Sequence, residues 1–272
     1  MQPISKNIQN RYKGFLETPS LWLKTSLLGL QPFIIPKKFT KISIKIDENQ
    51  RLGKYIERFV SFQLRQEKGI EILAENIQIQ REKLTLGELD GILLRNNELI
   101  HIEIVYKFYL YDERVGQDEI AHFIGPNRKD SLIEKLNKLS EKQLPLLHSD
   151  ETKNHLKSIG ILSKNISQQV YFKAQLFMPF SEKTPKLNII NNDCIAGFYI
   201  NIMKLKFLDN GKFFIPTKKD WLVMPHQLVS WMSFEDFSMR AYEFLKLPYA
   251  PLCWIKFKNG EMKKFFLVWW SF

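Results

Sequence analysis

The sequence predicts an α/β (α+β) protein: a core of mixed sheet flanked by helices, followed by a C-terminal antiparallel β-rich region. Three observations predict it. Apolar residues recur at helical spacing over 52–66 and again over 130–143. Two segments between them, 86–94 and 100–110, sort by strand parity. From about residue 168 the period is two, with turn signals between the runs. On these signals the chain divides into an N-terminal helical extension (1–45), a central core (46–150) and a β-rich C-terminal region (160–272).

The elements follow in order. Residues 8–16 and 20–28 read as short helical pieces, and 32–45 as a basic, Pro-containing stretch. Leu52, Tyr55, Ile56, Phe59 and Val60 make the apolar stripe of the first core helix, which Lys68-Gly69 ends. Strands at 71–74 and 76–80 lead to a hairpin whose turn is Arg95-Asn96-Asn97-Glu98. On its second strand Ile100, Ile102, Ile104, Tyr106, Phe108 and Leu110 share one face, and His101, Glu103, Val105, Lys107 and Tyr109 the other.

Gly125-Pro126-Asn127-Arg128-Lys129-Asp130 opens the next helix, with Asp130 or Asn127 as N-cap. Leu132, Ile133, Leu136 and Leu139 face the core there, and the helix stops near Gln143-Leu144-Pro145. Strands then follow at 170–178, 196–208, 212–224, 252–258 and 262–270. Asp209-Asn210-Gly211 and Asn259-Gly260 serve as hairpin turns. One helix at 233–247 carries a Ser233/Asp236 capping box. Trp221, Trp231, Trp254, Trp269 and Trp270 read as core packing before base stacking.

Bulk properties narrow the function classes. A chain of 272 residues, 44% hydrophobic, can bury a full core. No apolar stretch approaches the ~18 residues a membrane span needs, and Lys24 interrupts the one apolar run near the N-terminus. Cys194 and Cys253 lie far apart in no metal-binding pattern, so a reducing cytoplasm is expected. The net charge of +11 suits a polyanionic partner, and also suits a chain simply rich in lysine.

The chemistry concentrates on the hairpin. Glu88 and Asp90 share a face of the first strand, and Glu103 follows on the second. Carboxylates gathered on a sheet are costly unless a cation or a lysine neutralises them, which points to a metal site. Lys107 reads as a catalytic lysine or as an ion-pair partner of Glu103, His101 as an edge residue, and Glu88 as a partner for a lysine or arginine. Lys129, Lys135, Lys138 and Lys142 form either a solvated face or one that tracks phosphates. Gln143 either touches the substrate backbone or caps its helix.

Gly53-x-x-x-Glu57, Leu64, Gly69, Asn76, Gly87-Glu88-x-Asp90 and then Glu103 on the next strand resemble the PD-(D/E)XK nuclease superfamily. The order of elements is closest to the YraN-like proteins and Holliday-junction resolvases. The likeness covers about residues 50–145; the rest looks like an uncharacterised bacterial family of unknown function. The resemblance implies a restriction-endonuclease-like core and a Mg²⁺- (or Mn²⁺-) dependent phosphodiesterase acting on DNA sooner than RNA, in repair, recombination or defence. It implies Asp90 and Glu103 as metal ligands, Glu57 completing the shell, and a lysine acting on water. The sequence departs from the pattern at that lysine. The superfamily places it two residues after the acid, where Val105 stands, whereas Lys107 lies four residues on, ~13 Å along a strand at ~3.3 Å per residue. Either a bulge brings Lys107 back or Lys135 takes the role. The alternative function is a catalytically silent nuclease fold that binds nucleic acid or a protein partner.

Overall fold

The computed structural model describes residues 5–162, 165–181 and 185–270. Its elements are α1 (Ser5–Glu17), α2 (Leu52–Arg65), β1 (Ile70–Arg81), β2 (Leu84–Arg95), β3 (Glu98–Tyr111), β4 (Phe123–Ile124), α3 (Leu132–Lys138), α4 (Asp150–Ser158), β5 (Ile166–Pro179), β6 (Ile195–Asn201), β7 (Lys212–Phe214), α5 (Phe234–Leu245), β8 (Leu252–Lys256) and β9 (Met262–Val268). Among the described residues the strands number nine and are mixed in direction, with helices flanking them. Two compact units interleave along the chain. The hairpin unit comprises Ser20–Tyr106 and Glu134–Lys173; the mixed-sheet unit comprises Met1–Pro19, Lys107–Ile133 and Ala174–Phe272.

In the hairpin unit β1, β2 and β3 form an antiparallel meander. The β2–β3 turn is two residues long, between the paired Arg95 and Glu98. Asn96 and Asn97 both take positive φ, 50° and 67°, the conformation that lets a tight hairpin follow the twist of its strands. Replacing Asn97 by valine should therefore cost about 1–2 kcal/mol, while Asn97→Gly should cost nothing measurable. Urea denaturation of the two variants checks this, and equal losses would show that the turn is not what matters. Strand β1 is continuous where two pieces were expected: a bulge between Ile72 and Ala74, and Asn76 at φ 54°, bend it without breaking the pairing.

Helix α2 packs on β1 and buries Tyr55, Ile56, Phe59 and Val60 of the expected stripe, with Phe62, Gln63 and Leu64 besides, while Leu52 is half-buried. Helix α4 and the 3₁₀ turn Pro145–His148 cover β1 and β2 around Ile77, Ile79, Leu89 and Ile92. That close approach explains Gly87, where a Cβ would lie 2.7 Å from a Leu146 methyl. Residues 20–28 are not helical. Leu21 N–H bonds the Phe172 carbonyl, and Leu27 and Leu30 bridge each other across Leu28-Gly29, both at positive φ.

The helix expected over 130–143 starts at Leu132 and is α-helical only to Lys138; Leu139–Gln143 is a π turn, closed by Leu144 N–H on the Leu139 carbonyl. Neither expected N-cap serves, since Asp130 pairs with Lys107 and Asn127 Oδ1 accepts from Ala250 N–H.

The mixed-sheet unit corrects the expected antiparallel C-terminal region. Strands β5, β6 and β9 run parallel in that order, and only β9, β8 and β7 are antiparallel. The Asn259-Gly260 turn joins β8 to β9 as expected, with Gly260 at φ 86°. Asp209–Gly211 joins no hairpin, because β7 pairs with β8. Two strands are shorter than the period predicts. Asn201 ends β6 by accepting Met203 N–H on its side chain, which starts a 3₁₀ helix over Ile202–Leu208. Strand β7 ends at Phe214, two residues before Pro216. The α5 cap is as expected, Ser233 Oγ accepting Asp236 N–H at 3.1 Å. Trp221, Trp254 and Trp270 are buried in this unit.

Candidate functional site

The acidic residues meet where the β2–β3 ladder ends. Its last pair is Gly91 opposite Ile102, so Asp90 and Glu103 are the next residue on each strand. Beyond that pair Ile104 N–H bonds the Asp90 carboxylate at 2.7 Å. The strand that carries Glu103 is buried on both faces through its middle, and Glu103 and His101 are both fully buried. His101 is thus no edge residue.

A polar network holds Glu103. Gln168 Nε2 donates to His101 Nδ1 at 3.1 Å, which leaves the Nε2 hydrogen of His101 to donate to Glu103 Oε1 at 3.1 Å. On the other carboxylate oxygen, Gln143 Nε2 donates to Oε2 at 2.5 Å, while Gln143 Oε1 accepts from Lys135 Nζ at 2.6 Å. The π turn makes this possible, since the wider turn redirects Gln143 relative to α3. Gln143 therefore neither caps its helix end nor points to solvent; it links Lys135 to Glu103.

Electrostatics sort the carboxyls. Asp90 is pushed up to about 7, first by burial and then by repulsion from Glu103, against the Ile104 hydrogen bond and the attraction of Lys135. Glu103 is likewise pushed up to about 7 by burial, opposed by Lys135 and raised further by Glu88 and Glu57. His101 is driven down to about 4 by burial, so it is a neutral donor. Glu57 is raised by burial and by the nearby Asp90 and Glu88, with Lys54 acting against it. All four carboxylates feel one another.

Lys54 was not legible as part of this cluster. Its ammonium bonds Glu57 at 2.9 Å, Glu88, and Asn76 Oδ1 at 3.0 Å. The signal that would find it is the i,i+3 spacing of Lys54 and Glu57 on one helix face. Glu88 accordingly is the partner of a lysine.

Lys107, by contrast, pairs with Asp130 at 2.6 Å. Within the hairpin unit Lys135 is the lysine that acts on Asp90 and Glu103. Lys138 and Lys142 are exposed on α3 and its π turn, and Lys129 is exposed in its loop in the other unit.

Among the described residues no three His, Cys, Asp or Glu side chains form a ready-made metal group. Two carboxylates stand together, Asp90 and Glu103, and Glu57 is engaged by Lys54. Two hard oxygen donors with crowded negative charge still suit Mg²⁺, which keeps several waters and takes one or two carboxylates. Burial is the first cause of both raised values; the repulsion that adds to it is what a cation would relieve.

No described helix is long and apolar enough to cross a membrane. No curated protein and no solved structure matches the chain. Residues 35–268 match the family model described as domain of unknown function (DUF1853), most of the length, and the chain belongs to that family.

Proposed function

We propose that this protein is a divalent-cation-dependent phosphodiesterase of the PD-(D/E)XK kind, acting on DNA in the cytoplasm. The observation that supports this reading is the half-buried Asp90 beside the fully buried Glu103, each pushed up to about 7 where the hairpin ladder ends, with Lys135 attracting both. Asp90 and Glu103 would hold the ion, Mg²⁺ or Mn²⁺. A bound cation there supplies Lewis acidity and a more acidic water. The chain's own residues do the rest. Ile104 N–H fixes Asp90, His101 and Gln143 fix Glu103, and Lys135 holds a positive charge beside the reacting phosphate. Exposed Lys138 and Lys142 offer charge to the DNA backbone in the hairpin unit, and exposed Lys129 offers it separately in the mixed-sheet unit. Both cysteines are buried and unbridged, in keeping with a reducing compartment.

A second reading is a silent nuclease fold that binds nucleic acid or a protein partner. The observation in its favour is that Val105 stands at the superfamily's lysine position while Asp130 engages Lys107. One experiment separates the two: cleavage of single-stranded, duplex, flap and junction DNA with Mg²⁺ or Mn²⁺. The expected result is cleavage that Lys135→Ala reduces by about a hundredfold or more and Lys107→Ala leaves nearly intact. Cleavage lost in Lys107→Ala alone would overturn the assignment of Lys135. No cleavage of any substrate would leave the silent fold.

A further inference from the structure

Ahead of α2 the hairpin unit carries an arm, residues 34–46, that belongs to none of the described helices or strands. From Phe39 to Ile46 its exposure alternates. Phe39, Lys41, Ser43 and Lys45 are exposed, while Thr40, Ile42, Ile44 and Ile46 are buried or half-buried. A period of two is what an extended chain with one covered face shows. The arm is fixed at both ends. Phe33 N–H bonds the Val170 carbonyl and Val170 N–H the Gln31 carbonyl, which starts it as an added rung beside β5. Arg95 donates to the Ile34 carbonyl at 3.3 Å and lies over the Phe33 ring, 5.2 Å from its centroid. Lys38 Nζ donates to the Gln66 carbonyl at the C-terminal end of α2, at 3.3 Å. Glu48 accepts the Tyr55 hydroxyl, on the first turn of α2, at 3.2 Å. The arm therefore runs along α2 from its C-terminal end to its first turn, which carries Lys54.

Its charge has one sign. No Asp or Glu occurs between Glu17 and Asp47. Residues 31–66 hold eight basic and three acidic side chains, five of the chain's net charge of +11. Lys37 is already engaged and Lys38 is held by Gln66, so the charge left to a partner is that of Lys41 and Lys45. These two share the outward face, ~13 Å apart along an extended chain, and no described carboxylate bonds either. The acids that border the arm are placed otherwise. Asp47 accepts Asn49 N–H at 2.9 Å, Glu48 takes Tyr55, and Glu67 is half-buried beside Gln66. On the same outward face Phe39 is 59% exposed. Every other aromatic ring described in the hairpin unit is buried or half-buried.

A covering arm needs its isoleucines, but not an exposed phenyl ring in line with two unpaired lysines. We propose that this face is a docking surface for single-stranded nucleic acid, with the backbone along Lys41 and Lys45 and an unpaired base on Phe39. Ammonium groups strung along an extended chain meet phosphates strung along a strand. A free aromatic face takes a base that no duplex already stacks. Asp47 ends the basic face and opposes the ligand there. The inference does not rest on the cleavage reading, because a strand would be held here whether or not it is cut.

The test is fluorescence anisotropy of labelled oligothymidylate with the full-length protein in EDTA, over a range of salt. A labelled duplex and phosphatidylglycerol vesicles are run beside it. The wild type should bind the single strand, and more tightly than the duplex. Lys41→Gln/Lys45→Gln should weaken that binding about tenfold and lower the salt slope by about 1.4, ~0.7 for each phosphate released. Phe39→Ala should weaken it about fivefold or more, with the salt slope and the duplex binding unchanged. Asp47→Asn, which keeps an oxygen for Asn49 N–H, should tighten it about twofold. Oligomer binding unchanged in the lysine variant would overturn the surface. Loss in the lysine variant but none in Phe39→Ala would overturn the single strand as occupant and leave a backbone contact open to any duplex. Vesicles bound through the lysines, with no oligomer bound, would overturn nucleic acid in favour of an anionic membrane surface. Metal is absent throughout, so failure of the cleavage reading and failure of this one are read separately.

Discussion

Asp90→Ala is expected to abolish measurable Mg²⁺ binding and to reduce DNA cleavage by about a thousandfold or more, the scale seen when a metal centre is lost. The reason is local. Asp90 stands beside Glu103 where the ladder ends, and Ile104 N–H already fixes its orientation. Calorimetry with Mg²⁺ or Mn²⁺ reads the binding, and a cleavage assay reads the activity. Asp90→Asn makes a sharper control, since it keeps the shape and the Ile104 bond while removing the charge. Full metal affinity in either variant would remove Asp90 from the site. Metal binding retained with cleavage lost would instead make it a positioning residue.

The metal-free protein is expected to be more stable at pH 5 than at pH 8, and Asp90→Asn/Glu103→Gln is expected to reverse that order. Both carboxyls have folded values near 7 against ordinary values of 3.8 and 4.5. A raised carboxyl stabilises the fold when protonated, so its contribution is full below pH 4 and is lost as the pH rises through 7. Between pH 5 and pH 8 the two together withdraw on the order of 5 kcal/mol.

Two groups pull the other way. His101, lowered to about 4, and Lys264, lowered to about 7, are both lowered by burial, so each loses stability as the pH falls, by roughly 2 and 1 kcal/mol. The net is about 2 kcal/mol in favour of pH 5. Removing the two carboxyls leaves His101 and Lys264 opposed by the raised Glu57, whose crowding falls with the lost charge of Asp90, hence the reversal. Denaturation in EDTA at both pH values decides it, and Mg²⁺ should restore stability at pH 8. A wild type that is steadier at pH 8 without metal would show that the carboxyls are not crowded as described.

The hairpin was legible because its signals are local. Alternation along 100–110 and the Asn96-Asn97 pair fix strand and turn within a few residues of each other, and so place Asp90 and Glu103 correctly. What escaped was non-local or lacked a period. Nothing in the alternation of β5, β6 and β9 says which strand each will pair with, so their parallel order was invisible. The run after Asn201 alternates well enough to pass for strand, and only the capping bond to Met203 N–H marks where the strand stops. The π turn at 139–143 belongs to no simple repeat, so Gln143 looked like a helix end while it in fact joins Lys135 to Glu103. Gln168, remote in sequence, sets the His101 tautomer and gave no sign at all.

The ammonium of Lys54, held between Glu57 and Glu88 by its own backbone, is a counter-ion that cannot diffuse away. Its local concentration is set by a tether, not by the buffer. On the metal-binding reading proposed above, chelation would strip charge balance from Asp90 and Glu103 and leave Lys54 in place beside Glu57 and Glu88. Lys54 on helix α2 stays beside the hairpin's Glu88 with or without any such ion, so the part of the cluster it neutralises does not vary with the buffer.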